Sequence, residues 1–172
     1  MRSVSMVLGI SMVSVLVGCA STPIALAPIG PNPAGSKRRA SNGELQVFSN
    51  LAEQSDNGNQ GSTDPIWYQH TDYRIYNLQG KLVKRVDNAV GHYERSPRRV
   101  RLPAGRYLVK AQGEDYSSVE AQVAIECGRT TKVHLDDNWK VPADVPKNEV
   151  VSLPNGNPAG WRADATNEIG SN

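Results

Sequence analysis

The chain has 172 residues with 19 Lys and Arg against 17 Asp and Glu, a formal net charge of +2, which by itself specifies no class of partner. Only two cysteines are present, Cys19 and Cys127, too few for a framework of several disulfides, so apolar burial must hold the core. The length allows one domain of ordinary size with flanking segments.

Arg2 supplies a positive start, Val4 to Val17 form an uncharged apolar stretch, and Leu16-Val17-Gly18-Cys19 closes it, the layout of a secretory signal over residues 1–18. The stretch is too short for a transmembrane helix, which needs about 20 apolar residues. These residues resemble a bacterial lipoprotein precursor, whose lipobox is cut just before an acylated cysteine. The resemblance implies that Cys19 is the lipidation site and the new amino terminus, held in a membrane by two or three acyl chains. More than one chain is required, because each buried methylene contributes about 0.8 kcal/mol and a single myristoyl group binds only marginally. In Gram-negative lipoproteins that this one resembles, Ala rather than Asp after the cysteine permits export to the outer membrane. The other reading is an ordinary secretory signal with a cysteine near its cleavage point.

Residues 19–43 are rich in Ala, Ser, Thr, Pro, Gly and Asn and include Pro23, Pro28, Pro31 and Pro33, which reads as a disordered tether. Its flexible reach is roughly 25 to 30 Å, extended by the prolines. Lys37-Arg38-Arg39 inside it reads as a solvated cluster, with contact to anionic headgroups as the alternative.

From Glu44 to Trp139 the apolar period is two, so residues 44–139 are expected to form an all-β domain. Leu45, Val47 and Leu51 supply a first strand, and Gln54 to Asp64 read as a mobile polar loop. Tyr73 and Ile75 lead through Gln79-Gly80 to Leu82–Val86. Val100 and Leu102 alternate with Arg99 and Arg101, then Pro103-Ala104-Gly105 turns the chain into Tyr107, Val109 and Ala111. Val119, Ala121, Val123 and Ile125 alternate with polar residues, and after Gly128-Arg129 the pattern resumes at Thr131, Val133 and Leu135. About seven short strands with frequent turn signals fit a single antiparallel β-sandwich, with Tyr73, Tyr107 and Trp67 as its larger fillers. Residues 140–172 carry Pro142, Pro146, Pro154 and Pro158 without apolar period and read as a disordered tail; the alternative is a tail docked through Val150, Val151 and Leu153.

The run from Leu102-Pro103-Ala104-Gly105-Arg106-Tyr107 through Ala111, then Gly113 and Tyr116, then Val123 to Val133 with its Gly128-Arg129-Thr130 turn, resembles the carboxypeptidase-regulatory-like domains. Their front hairpin is replaced here by the polar loop through Asn57. The resemblance implies a transthyretin-like (prealbumin-like) sandwich with an accessory or binding role, and it brings no catalytic residue with it.

Little in the chain suggests reaction chemistry. His70 with Asp72, His92 with Glu94, and His134 with Asp136 and Asp137 are single pairs, and a metal site needs three or four ligands, so these read as exposed polar positions. Cys127 shares parity with Val123 and Ile125 and reads as a small core residue closing a strand. No nucleophile motif or phosphate-cradling glycine loop is present, and neither an enzyme nor a cofactor or metal is expected.

Charge distribution gives one positive signal. Between Arg74 and Lys110 ten basic residues face only Asp87 and Glu94, a local balance of +8. Arg98, Arg99 and Arg101 are the candidate contact group, since a guanidinium grips phosphate or carboxylate bidentately. The competing reading pairs them across strands with Glu120, Glu126 and Glu114. For an exported lipoprotein nucleic acid is not an expected partner; an anionic envelope glycan, a lipid headgroup or an acidic protein is. The sequence thus points to a lipid-anchored, non-catalytic envelope domain for binding or scaffolding, the alternative being an assembly subunit of an envelope or secretion complex.

Overall fold

The computed structural model describes residues 22–54, 67–89 and 96–163, without the side chains of Gln54 and Trp67. The strands in chain order are β1 (Ile24–Gly30), β2 (Asn42–Phe48), β3 (Leu51–Gln54), β4 (Trp67–His70), β5 (Tyr73–Asn77), β6 (Leu82–Val86), β7 (Arg99–Pro103), β8 (Gly105–Gly113), β9 (Tyr116–Ile125), β10 (Thr130–His134), β11 (Val150–Ser152) and β12 (Pro158–Arg162). A single 3-10 turn at Lys147–Glu149 precedes β11.

The protein is all-β, as its period-two pattern requires. A seven-stranded sheet runs β11-β12-β1-β9-β8-β5-β6, a three-stranded sheet runs β10-β2-β7, and β3 pairs with β4. The alternating residues of β9 do what the pattern demands: Val119, Ala121, Val123 and Ile125 are buried while their neighbours are half-buried or exposed. With Ile75 and Val109 they share one cluster with Leu45 and Val47 of β2, Val100 and Leu102 of β7, and Val133 of β10. The apolar faces of both larger sheets therefore meet in one core.

Three expectations change. The sheets are mixed rather than antiparallel: β1 runs parallel to β9, and β10 parallel to β2. The segment read as tether contributes β1, which lies between β12 and β9 and buries Ile29 completely. Pro28 hid this strand. The β1–β9 register shifts between Leu26 and Ile29, and the irregularity accommodates a residue that has no N–H for the ladder. Meanwhile the Pro28 carbonyl accepts from the Ala163 N–H at 2.9 Å.

The segment read as a tail also docks, as the alternative reading held. Val150, Val151 and Leu153 are buried, and β12 adds Ala159 at 0 % exposure. Pro158 sits at the first position of β12, where a missing donor is tolerated. A Cβ on Gly160 would lie 2.6 Å from Ile29 Cγ2, so the strand can approach β1 only with glycine there.

Candidate functional site

The site is an open cleft of about 650 Å³ at the end of the fold where β1 finishes and β2 begins, lined by residues of three separate chain segments. Backbone pairing assembles it. β2 lies between β7 and β10, with Glu44 opposite both Arg101 and Thr130, and Gln46 opposite both Arg99 and Lys132. Parity then sends Glu44, Arg99, Arg101 and Lys132 away from the core that takes Leu45, Val100 and Val133.

The opposite wall is the chain between β1 and β2, sewn to the β9–β10 turn. The Arg38 N–H donates to the Gly128 carbonyl at 2.9 Å, the Gly128 N–H to Asn42 at 2.9 Å, and the Glu44 N–H to Arg129 at 2.9 Å. Gly128 has φ +71, and a Cβ there would meet the Arg38 carbonyl oxygen at 1.7 Å, so only glycine closes this turn. The Arg129 guanidinium donates to Glu126 Oε2 at 2.9 Å and to the Asn32 carbonyl, holding the wall upright.

Six cations line the cleft, Arg38, Arg39, Arg99, Arg101, Arg129 and Lys132, against the single carboxylate of Glu44. Glu44 is shared: Arg99 Nη1 stands 4.0 Å and Arg101 Nε 3.7 Å from its two oxygens. The Arg99 and Arg101 side chains are 64 % and 81 % exposed, so these long contacts leave both guanidiniums open to a ligand.

The predicted contact group is thus divided. Arg99 and Arg101 enter the cleft, but Arg98 does not: its Nε donates to the Asp87 carbonyl at 2.6 Å and its Nη2 to Ala89 at 3.0 Å, fastening the loop after β6. Its charge lies near the buried Tyr73 hydroxyl, whose pKa is raised by burial and opposed by Arg98. Two of the three proposed cross-strand partners are engaged elsewhere, Glu120 with Lys110 at 2.5 Å and Glu126 with Arg129. Arg129 and Lys132 escaped the sequence reading as site residues, and Arg38 and Arg39 entered it only as a solvated cluster with headgroup contact as the alternative, because these segments are brought together only by the fold. The turn signal at Gly128-Arg129 was the hint available for the first two.

Other candidates resolve structurally. Cys127 lies beyond the end of β9, half-buried rather than in the core, with its thiol donating to the Ser41 carbonyl at 3.2 Å. His70 and His134 are buried, not exposed. His70 Nδ1 lies 2.6 Å from the Ser49 carbonyl, which can only accept, so that nitrogen carries the proton. His134 stacks between Phe48 (4.3 Å) and Trp139 (5.0 Å), and its pKa is lowered to about 4 by burial, with Lys132 and His70 adding to the shift. No group of three metal-ligating acids, histidines or cysteines occurs among the described residues. Cys19, His92 and the polar loop through Asn57 lie outside the described residues.

Compared with known proteins, the chain matches no protein-family model, no curated protein and no solved structure.

Proposed function

We infer that the protein is a non-catalytic binding domain, held at the bacterial cell envelope by lipid on Cys19, that uses the basic cleft to engage an anionic envelope component. The observation that carries this is the ratio of six cations to one carboxylate in a cleft built by three hydrogen-bonded backbone segments. An exposed, preorganised set of guanidiniums offers paired donors to phosphate or carboxylate with little ordering to do on binding. The transthyretin-like assignment belongs to the same reading. It is supported by the Leu102–Ala111 phrase falling on β7 and β8, the Val123–Val133 phrase falling on β9 and β10, and the single core that these strands share.

Binding of an anionic polymer to the full chain should fall steeply with salt and with Arg99→Ala plus Arg101→Ala; binding indifferent to both would exclude the cleft. Loss of fatty-acid labelling in Cys19→Ala tests the anchor, with residual labelling counting against it. In a Gram-negative source the anchor would place the domain at the outer membrane.

A second reading, an assembly subunit of an envelope complex, draws on the β5–β6 hairpin. β6 is the edge of the seven-stranded sheet, and Leu78, Leu82 and Val83 on this hairpin are 53 %, 39 % and 46 % exposed. An open edge with apolar side chains invites pairing with another chain. Recovery of a stoichiometric protein partner that is lost on Val83→Lys would favour it.

A further inference from the structure

β1 gives the cleft a direction. If Cys19 is the anchor, as proposed above, five residue steps separate it from Ile24, a covalent reach of at most about 18 Å. β1 then carries the chain away from that point for six further steps, about 20 Å. Only after this strand, at Pro31, does the lining of the cleft begin. The start of β1, where the anchor would join the fold, and the cleft therefore lie at opposite ends of that strand. Turning the domain over to press the cleft on its own bilayer would require the start of β1 to rise about 20 Å, which would take the linker to its full extension at a cost in chain entropy.

Charge also differs between the two ends. The end at which β1 starts is set by its register with β9, Ile24 opposite Val119. The turn just before Val119 carries Glu114 and Asp115, and Asn155 Nδ2 links Asp115 (3.1 Å) to Asp137 (3.4 Å) beside it. The same end also carries Lys110, Arg74 and Arg85, one step along the register from Val119, with Lys110 paired to Glu120 at 2.5 Å, so its charge is mixed where the cleft end is basic. The field of an anionic bilayer at the far end, more than two Debye lengths of about 8 Å away, is largely screened.

The lining defines what the far end accepts. Beside the cations stand Asn32, Ser36, Ser41, Asn42 and Thr130, with no aromatic and no large apolar side chain. Protein interfaces gain most of their affinity from aromatic and other anchors buried in pockets, which this cleft lacks. Hydroxyl and amide side chains around guanidiniums suit a polyhydroxylated anion.

We propose that the cleft points away from the anchoring bilayer and takes a phosphate- or carboxylate-bearing glycan of the layer beyond it, not headgroups of the bilayer that holds the protein. The test uses the full lipidated chain in vesicles of phosphatidylcholine alone and of phosphatidylcholine with phosphatidylglycerol. The probes are a phosphorylated mannan, polygalacturonate and, as the peptide control, polyglutamate.

One or both glycans should bind with the same affinity on the two vesicle types, and Arg99→Ala plus Arg101→Ala should weaken that binding about tenfold. Which glycan binds tells phosphate from carboxylate. Energy transfer to a lipid labelled on its headgroup should be stronger from a fluorophore at Glu114→Cys than from one at Ser36→Cys, both in a Cys127→Ser background. Affinity that drops on anionic vesicles, equal or reversed energy transfer from the two positions, or polyglutamate binding as tightly as either glycan overturns the proposal. Failure of the underlying readings shows separately: a mature chain without acyl mass removes the anchor, and absence of glycan binding even in detergent removes the cleft.

Discussion

Arg38 is clasped to Gly128. The N–H of the first donates to the carbonyl of the second, while the absence of a Cβ on the second lets the backbone of the first pass at van der Waals range. Gly128→Ala adds a methyl where only 1.7 Å is free and forces L-residue geometry at φ +71. The expected result is a loss of roughly 2 to 4 kcal/mol in urea unfolding, from strain and the displaced wall together. Anionic-polymer binding should weaken beyond what the residual folded fraction explains, since Arg38 and Arg39 move with that wall.

Arg99→Ala plus Arg101→Ala should behave oppositely. Their contacts with Glu44 are long and exposed, so stability should change by less than about 1 kcal/mol while polymer binding drops and its salt dependence flattens. Urea unfolding and binding titrations at several ionic strengths check both halves. Arg98→Ala, by contrast, should spare binding and loosen the loop after β6, visible as faster amide exchange at Asp87 to Ala89.

Leu153→Ala distinguishes a docked C-terminal segment from a loose one. At 3 % exposure and in contact with the main cluster, its truncation should cost about 2 to 4 kcal/mol. A substitution in a loose tail would cost nothing measurable, so equal urea midpoints for variant and parent would contradict the docked β11–β12 hairpin.

Stability should depend on His134 at mildly acidic pH. Its folded pKa of about 4 lies below the ordinary 6.5, so between these values the unfolded chain binds a proton that the folded one refuses. Stability is therefore full above about pH 6.5 and declines as pH falls toward 4, by at most about 3 kcal/mol. His134→Phe keeps a ring between Phe48 and Trp139 and should flatten that part of the pH profile of urea midpoints.

Cys127 is half-buried at a turn rather than sealed in the core, so thiol reagents should reach it in the native chain. Maleimide modification of the native protein, lost in Cys127→Ser, checks this. The proposed acylation of Cys19 is then tested by fatty-acid incorporation and not by thiol blocking.

Strands with strict alternation were legible in the sequence. Val119 to Ile125 and Val100 to Leu102 declared both their strand and their buried face. β1 and β12 were not legible, for a shared physical reason: Pro28 and Pro158 sit at register shifts or strand starts, and Ala159 and Gly160 bury little side chain, so no period of two survives. The cleft was half legible. Arg99 and Arg101 announced themselves through alternation, but their true counter-ion, Glu44, lies on β2, and nothing local to either segment encodes that β2–β7 pairing. Arg38, Arg129 and Lys132 join them only through parallel and long-range contacts of the kind that sequence periodicity does not register.

The pairing of Ile29 with Arg162 has a consequence for when the protein becomes native. The first strand sits between the ninth and the last, so β1 remains an open edge of the large sheet until residues more than 130 positions later in the chain arrive. Such separation slows folding and defers its last step until β12 has been made. Until then one side of β1 keeps its backbone donors and acceptors unpaired, an edge open to another chain, so the arrival of β12 shields the sheet from association as well as enlarging it.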